Sequence, residues 1–267
     1  MSIVQRSVAK AAQGGTSALT QAGMIFQLFA DIVRNTFRRP FQYREFIEQS
    51  WFIASVTILP TALVAVPFGA IVSLQTGSLI GQLGAESFTG AASVLAVVQQ
   101  GAPVVTALLV AGAAGSAVCA DLGARTVREE IAAMEVLGIN PVQRLVVPRV
   151  LGMMLVSMFL NGLVSVVGVV GGYFFNVVLQ HGTPGAYLAS FSALAQLPDL
   201  LVGEFKALVF GLIAGVVAAY KGLHPGGGPK GVGDAVNQSV VITFLLLFFA
   251  NIILTAVYLQ VVPAKGS

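Results

Sequence analysis

Apolar runs of about 20 residues recur along this chain, each long enough as a helix to cross a hydrocarbon layer of about 30 Å, and no other feature narrows the fold so far. They fall at residues 51–74, 103–120, 150–179, 200–219 and 240–261. A backbone in lipid must satisfy its own hydrogen bonds, so each run reads as a transmembrane helix. A soluble protein with a large core is the rival. It fails on charge: 9% of the 267 residues are charged, where a soluble domain carries about 25%, too few to build a water-facing surface. The expected fold is an all-α polytopic membrane protein with five spans.

The polar stretches between the runs alternate in basic content, which is what orients a membrane protein. Arg6, Lys10, Arg34, Arg38, Arg39 and Arg44 precede the first span, Arg125, Arg128, Arg144 and Arg149 follow the second, and Lys221 and Lys230 follow the fourth. These are twelve of the fourteen basic residues; Lys206 lies inside span four and Lys265 beyond span five. The N-terminus is therefore expected in the cytoplasm and the C-terminus outside, across a plasma membrane. This divides the chain into a cytoplasmic segment at 1–48, a membrane domain at 49–262 and a short external tail at 263–267. Residues 1–20 are polar and small and do not resemble a cleavable signal peptide, so the N-terminus is expected to be retained. The net charge of +3 gives no support to nucleic-acid binding.

Before span one, Phe26, Phe29, Val33 and Phe37 follow helical spacing while Gln27, Asp31, Arg34 and Arg38 take the other face, with Pro40 ending or bending the helix. This suits an amphipathic helix lying in the membrane interface; a helix packed on other cytoplasmic parts fits the same pattern. Within the spans, Ala111 and Gly115, Gly168 and Gly172, and Gly211 and Gly215 are small residues four apart, as close helix packing in lipid requires. Pro60 and Pro67 should kink span one, and a kinked helix can line a cavity.

Groups able to do covalent chemistry are scarce. His181 and His224 fall on loops at opposite faces, so they cannot share a metal or a triad. Cys119 is the single cysteine and lies in an apolar run, which leaves no disulfide framework. Gly226, Gly227 and Gly228 precede Pro229 and Lys230 without the spacing of a phosphate-binding loop, so the chain is not expected to hydrolyse ATP. No catalytic or metal-binding residue and no bound cofactor are expected. Glu204 and Lys206 are ionisable residues in span four, which by default suggests contact with substrate or partner; both are also near enough to the interface to reach water. Gln75, Asn161 and Asn251 read first as interhelical hydrogen-bonding residues.

The loop 121–149 carries the most information. Thr126 followed by Glu129 forms a capping box, Val127, Ile131, Met134 and Leu137 make an apolar stripe, and Gly138 with Pro141 stops the helix. Arg128, Glu129, Glu130 and Glu135 occupy the polar side. Physics alone leaves two readings open, a helix resting on the membrane and a docking element for a soluble partner.

The segment ADLGARTVREEIAAMEVLGINPVQRLVVPR, residues 120–149, resembles the signature of the MlaE/YrbE permeases. GAPVVTALLVAGAAGSAV, KALVFGLIAG and KGLHPGGGPKGVGDAVNQSVV resemble further family segments in the same order. The resemblance implies a lipid-transporting ABC permease in which Arg128, Glu129, Glu130, Met134, Glu135, Leu137 and Gly138 contact a cytoplasmic ATPase dimer that uses ATP and Mg. It also implies a second five-span permease, MCE-domain proteins outside the membrane, and a lipid path for which Pro67, Gln75, Glu204, Lys206 and Asn251 are candidates. Gln99 and Gln100 stand where an Arg-Glu pair is usual, Ala113 where an arginine is common and Asn251 where an aspartate is common. These departures resemble A-type YrbE subunits of actinobacterial Mce systems, which pair with a B-type paralogue. The expected function is thus a permease subunit of an ATP-driven Mce-type importer of fatty acids, mycolic acids or sterols. An ion-gradient-driven secondary lipid transporter is the alternative, disfavoured by the scarcity of intramembrane carboxylates; a lipid-modifying enzyme is disfavoured by the histidine inventory.

Overall fold

The computed structural model describes residues 3–38, 41–84, 88–179, 182–195 and 197–261; Pro40, His181 and the tail from residue 262 lie outside them. Among the described residues all regular structure is helical. The helices are α1 (Ile3–Thr36), α2 (Tyr43–Gln82), α3 (Thr89–Val127), α4 (Glu130–Val136), α5 (Val142–Val178), α6 (Pro184–Leu194), α7 (Leu197–Leu223) and α8 (Gly228–Val261). Five of them, α2, α3, α5, α7 and α8, are long and apolar enough to cross a membrane. The protein is a polytopic all-α membrane protein.

The membrane helices extend past the apolar runs, and two of them contain widened, π-helical turns, at Val94–Gly101 and Val110–Ala114 in α3 and at Val142–Val146 in α5. Proline accounts for the first and the last. Pro103 and Pro148 have no N–H to offer the carbonyls four residues earlier, those of Gln99 and Arg144, and each of these carbonyls lies in a widened turn. α3 therefore continues through Pro103 and begins at Thr89. α6 is an 11-residue helix in a stretch that gave no helical signal beyond Pro184 at its first turn.

Helices cross where glycine permits it. A Cβ on Gly69 of α2 would sit 2.8 Å from the Gly168 backbone of α5, and one on Gly211 of α7 would sit 2.6 Å from the Met153 carbonyl oxygen of α5. Such contacts are the ordinary basis of close packing in lipid. Beside Gly211, Ser157 donates a hydrogen bond to the Ala207 carbonyl at 2.7 Å. Gly211→Ala is expected to lower stability by about 1–3 kcal/mol, the usual cost of overpacking, measured as the unfolding midpoint in an SDS titration of mixed micelles. The buried core gathers Leu122, Val146, Val150, Met153, Ala214 and Ala218 near the end of the bundle where α1 and α4 lie.

α1 packs against that core by a stripe the sequence did not single out. Leu28 and Ile32 are buried and Ile25 and Phe29 half-buried, at i, i+3, i+4 and i+7, whereas Phe26, Val33 and Phe37 stay exposed. Of the four aromatic and aliphatic residues expected on one face, only Phe29 turns inward. The helix carries two apolar edges, one packed on the protein and one exposed.

Candidate functional site

α4 is set apart by backbone geometry at both ends. α3 runs on through Thr126 and Val127, so the expected capping box does not form. The Thr126 hydroxyl donates instead to the carbonyls of Leu122 (2.9 Å) and Gly222 (3.0 Å), tying α3 to the end of α7. The break falls at Glu129, whose φ of 61° is the one positive value among the described non-glycine residues. That conformation costs a residue with a Cβ about 1–2 kcal/mol. At the other end Gly138 has φ 74°; its N–H donates to the Glu135 carbonyl and that of Ile139 to the Met134 carbonyl, both at 2.9 Å. This is the Schellman arrangement, which glycine makes without strain.

The faces of α4 also differ from the expected stripe. Ile131 and Met134 lean on the core, but Val136 is 89% and Leu137 74% exposed, with Glu135 exposed beside them. Glu130 faces back toward Arg125 and Arg128. α4 thus offers water a small apolar patch with a carboxylate, a surface that a soluble partner can cover.

A second polar grouping lies near the opposite end of α7, about 24 Å from Gly222 by the helical rise to Lys206. Lys206 is 1% exposed. Its Nζ donates to Thr255 Oγ1 of α8 at 2.9 Å and lies 3.4 Å from the Gln99 carbonyl of α3, the one that Pro103 leaves without a helical donor. Gln99 Nε2 donates to Asp199 Oδ1 at 2.9 Å, and the Tyr258 hydroxyl donates to the same oxygen. Asn161 of α5 donates to Glu204 at 3.1 Å. Three membrane helices therefore meet at one buried ammonium held by neutral acceptors; Lys206 does not extend to water, whereas Glu204 is half-buried.

The other candidates are scattered. Pro67 and Gln75 are exposed on α2 and take part in none of these bonds. Asn251 borders a shallow apolar groove with Val104, Leu108, Phe244 and Phe248, its Oδ1 buried without a partner among the described residues. Asp199, Thr255 and Tyr258 were not singled out from sequence, since they become neighbours only when α3, α7 and α8 pack. Nor were Asp121 and Glu45, which flank Arg149 at the α4 end: Arg149 is fully buried, with Nη2 2.6 Å from Asp121 and Nη1 3.8 Å from Glu45.

Comparison with known proteins agrees with this architecture. The family described as Permease MlaE matches residues 46–257. A probable ABC transporter permease protein of Rickettsia typhi is 30% identical over 92% of this chain and 95% of its own length. One of the same description from Synechocystis is 32% identical over 88% of each chain. The chloroplastic protein trigalactosyldiacylglycerol 1 of Arabidopsis thaliana is 30% identical over 67% of this chain and 51% of its own. With a match that runs from the first turns of α2 nearly to the end of α8, the chain belongs to the MlaE permease family.

Proposed function

We propose that this protein is the membrane subunit of an ATP-driven lipid transporter, and that α4 is where a cytoplasmic ATPase docks. The observation that carries this is the exposed patch of Glu135, Val136 and Leu137, on a helix fixed by one left-handed residue at each end. Arg128, Glu129, Glu130, Met134 and Gly138 complete the docking element. ATP and Mg act on the partner, and this chain contributes force transmission and a lined path. The names of the Rickettsia and Synechocystis relatives support the ABC assignment, and the Arabidopsis relative is named for a galactolipid.

In this reading the N-terminus is cytoplasmic, the C-terminus external and the membrane the plasma membrane, because the basic loops flank α4. A second permease of B type covers α8, of whose most apolar stretch only 11% is buried, against 50% for α3 and α7. MCE-domain proteins continue the path outside. Gln99, Gln100, Ala113 and Asn251 support an A-type YrbE subunit of an Mce system importing fatty acids, mycolic acids or sterols. Pro67, Gln75, Glu204, Lys206 and Asn251 belong to or border the lipid route. Shielding is required throughout, since exposing an acyl chain of about fifteen methylenes costs roughly 12 kcal/mol.

The test is Leu137→Asp combined with Glu135→Lys in the assembled complex. Both positions are exposed, so the fold should be unaffected while the ATPase subunit no longer copurifies. Undiminished copurification would remove the docking assignment.

A further inference from the structure

α4 has no buried residue, so core packing holds it only through half-buried Ile131 and Met134. Charge does the rest. Arg128 Nη1 and Arg125 Nη1 each lie 3.6 Å from the Glu130 carboxylate. Arg125 Nε is 3.3 Å from Asp121 Oδ1, and the other oxygen of Asp121 accepts from Arg149 Nη2 at 2.6 Å. Arg149 Nη1 donates to the Leu145 carbonyl at 2.8 Å and stands 3.8 Å from Glu45, in the first turn of α2. Six side chains alternate in sign, from the exposed Arg128 through Glu130, Arg125, Asp121 and the fully buried Arg149 to Glu45.

We infer that this alternating series is the route by which movement of α4 reaches α2 and α5, with Asp121 as the positioning residue at its centre. The inference rests on the reading of α4 as the ATPase docking element. Its stiffness is graded. The outer pairs are exposed and screened, so they break and re-form readily. The inner pair cannot, because a guanidinium without water must keep its counter-charge. Asp121 uses a different oxygen for each arginine, so the position of Arg125, and through it Glu130, is referred to an anchor inside the bundle. Arg144, just after α4, donates to Gln42 beside the same first turn of α2. Both flanks of α4 are thus tied to the start of α2, and a displacement of α4 is passed on to that helix.

The experiment uses the full transporter, permease with its ATPase, reconstituted in proteoliposomes. Asp121→Asn should leave the ATPase bound at the wild-type ratio and hydrolysing ATP within about twofold of wild type, while lipid moved per ATP falls at least tenfold. Should Asp121→Asn fail to fold, Arg125→Met cuts the same route at a one-third exposed residue without disturbing Arg149. Arg125→Lys, which keeps the charge, should restore most of the yield; a purely structural residue would show no such split between hydrolysis and transport. Wild-type yield per ATP in folded Arg125→Met overturns the route while the docking surface stands. A Leu137→Asp, Glu135→Lys complex that keeps its ATPase overturns the docking reading itself, and with it the direction of force assumed here.

Discussion

Arg149→Ala is expected to destabilise the folded chain by about 3–5 kcal/mol, the usual cost of removing one partner from a buried ion pair. The guanidinium is fully buried, and its loss leaves Asp121 and the half-buried Glu45 facing each other without the charge between them. It also frees the Leu145 carbonyl, to which Arg149 donates. Arg125 remains beside Asp121 and limits the damage, but it lies on the water side of the carboxylate. Arg149→Lys should lose less, because an ammonium keeps the charge but cannot span Asp121, Glu45 and a carbonyl at once as a planar fork does. SDS-titration unfolding in mixed micelles measures both. An unshifted midpoint for the alanine variant would mean that the pair adds nothing to stability.

Lys206→Met should cost about 2–4 kcal/mol, against the intuition that deleting a membrane-buried charge must help. Removing the ammonium does return its desolvation, up to about 3 kcal/mol at the centre of a bilayer and less toward the interface. It also orphans two half-buried acceptors, the Thr255 hydroxyl oxygen and the Gln99 carbonyl, and an acceptor left unpaired within a membrane costs up to several kcal/mol. The orphans outweigh the charge. A specific rescue is expected: Pro103→Ala supplies the N–H that Gln99 lacks, so it should recover about 1 kcal/mol in the Lys206→Met background and much less in the wild type. A double-mutant cycle with no interaction between the two positions would sink the account.

The sequence made the membrane helices legible because a span must be apolar over its whole length, and the family segments made α4 legible. What it hid has physical reasons. Thr126 and Glu129 have capping-box spacing, yet the Thr126 hydroxyl finds the Gly222 carbonyl of α7, an acceptor 96 residues away that no local pattern announces. α3 looked shorter than it is because Gln99, Gln100 and Pro103 read as a polar break, whereas a widened turn and a lysine from α7 absorb the proline's effect. The basic residues of the loops were read as an orientation signal. Their pairing into one connected series depends on how α2, α3 and α5 meet, and Asp121 and Arg149, 28 residues apart, share no helix face. α1 misled in another way, since its aromatic stripe is the more conspicuous edge and Leu28 and Ile32 the buried one.

The arrangement around Lys206 also sets an order of events during biosynthesis. Arg149 leaves the ribosome 28 residues after Asp121, so its counter-charge is already present when it arrives. Lys206 finds the Gln99 carbonyl, made 107 residues earlier, but Thr255 follows it by 49 residues. At about 5–20 residues per second the wait is roughly 2–10 s. During that interval the ammonium has half its acceptors, and α7 has a reason to remain near the translocon or the interface. α8 is thus the closing piece, and a nascent chain stopped before it should be a marked substrate for membrane quality control.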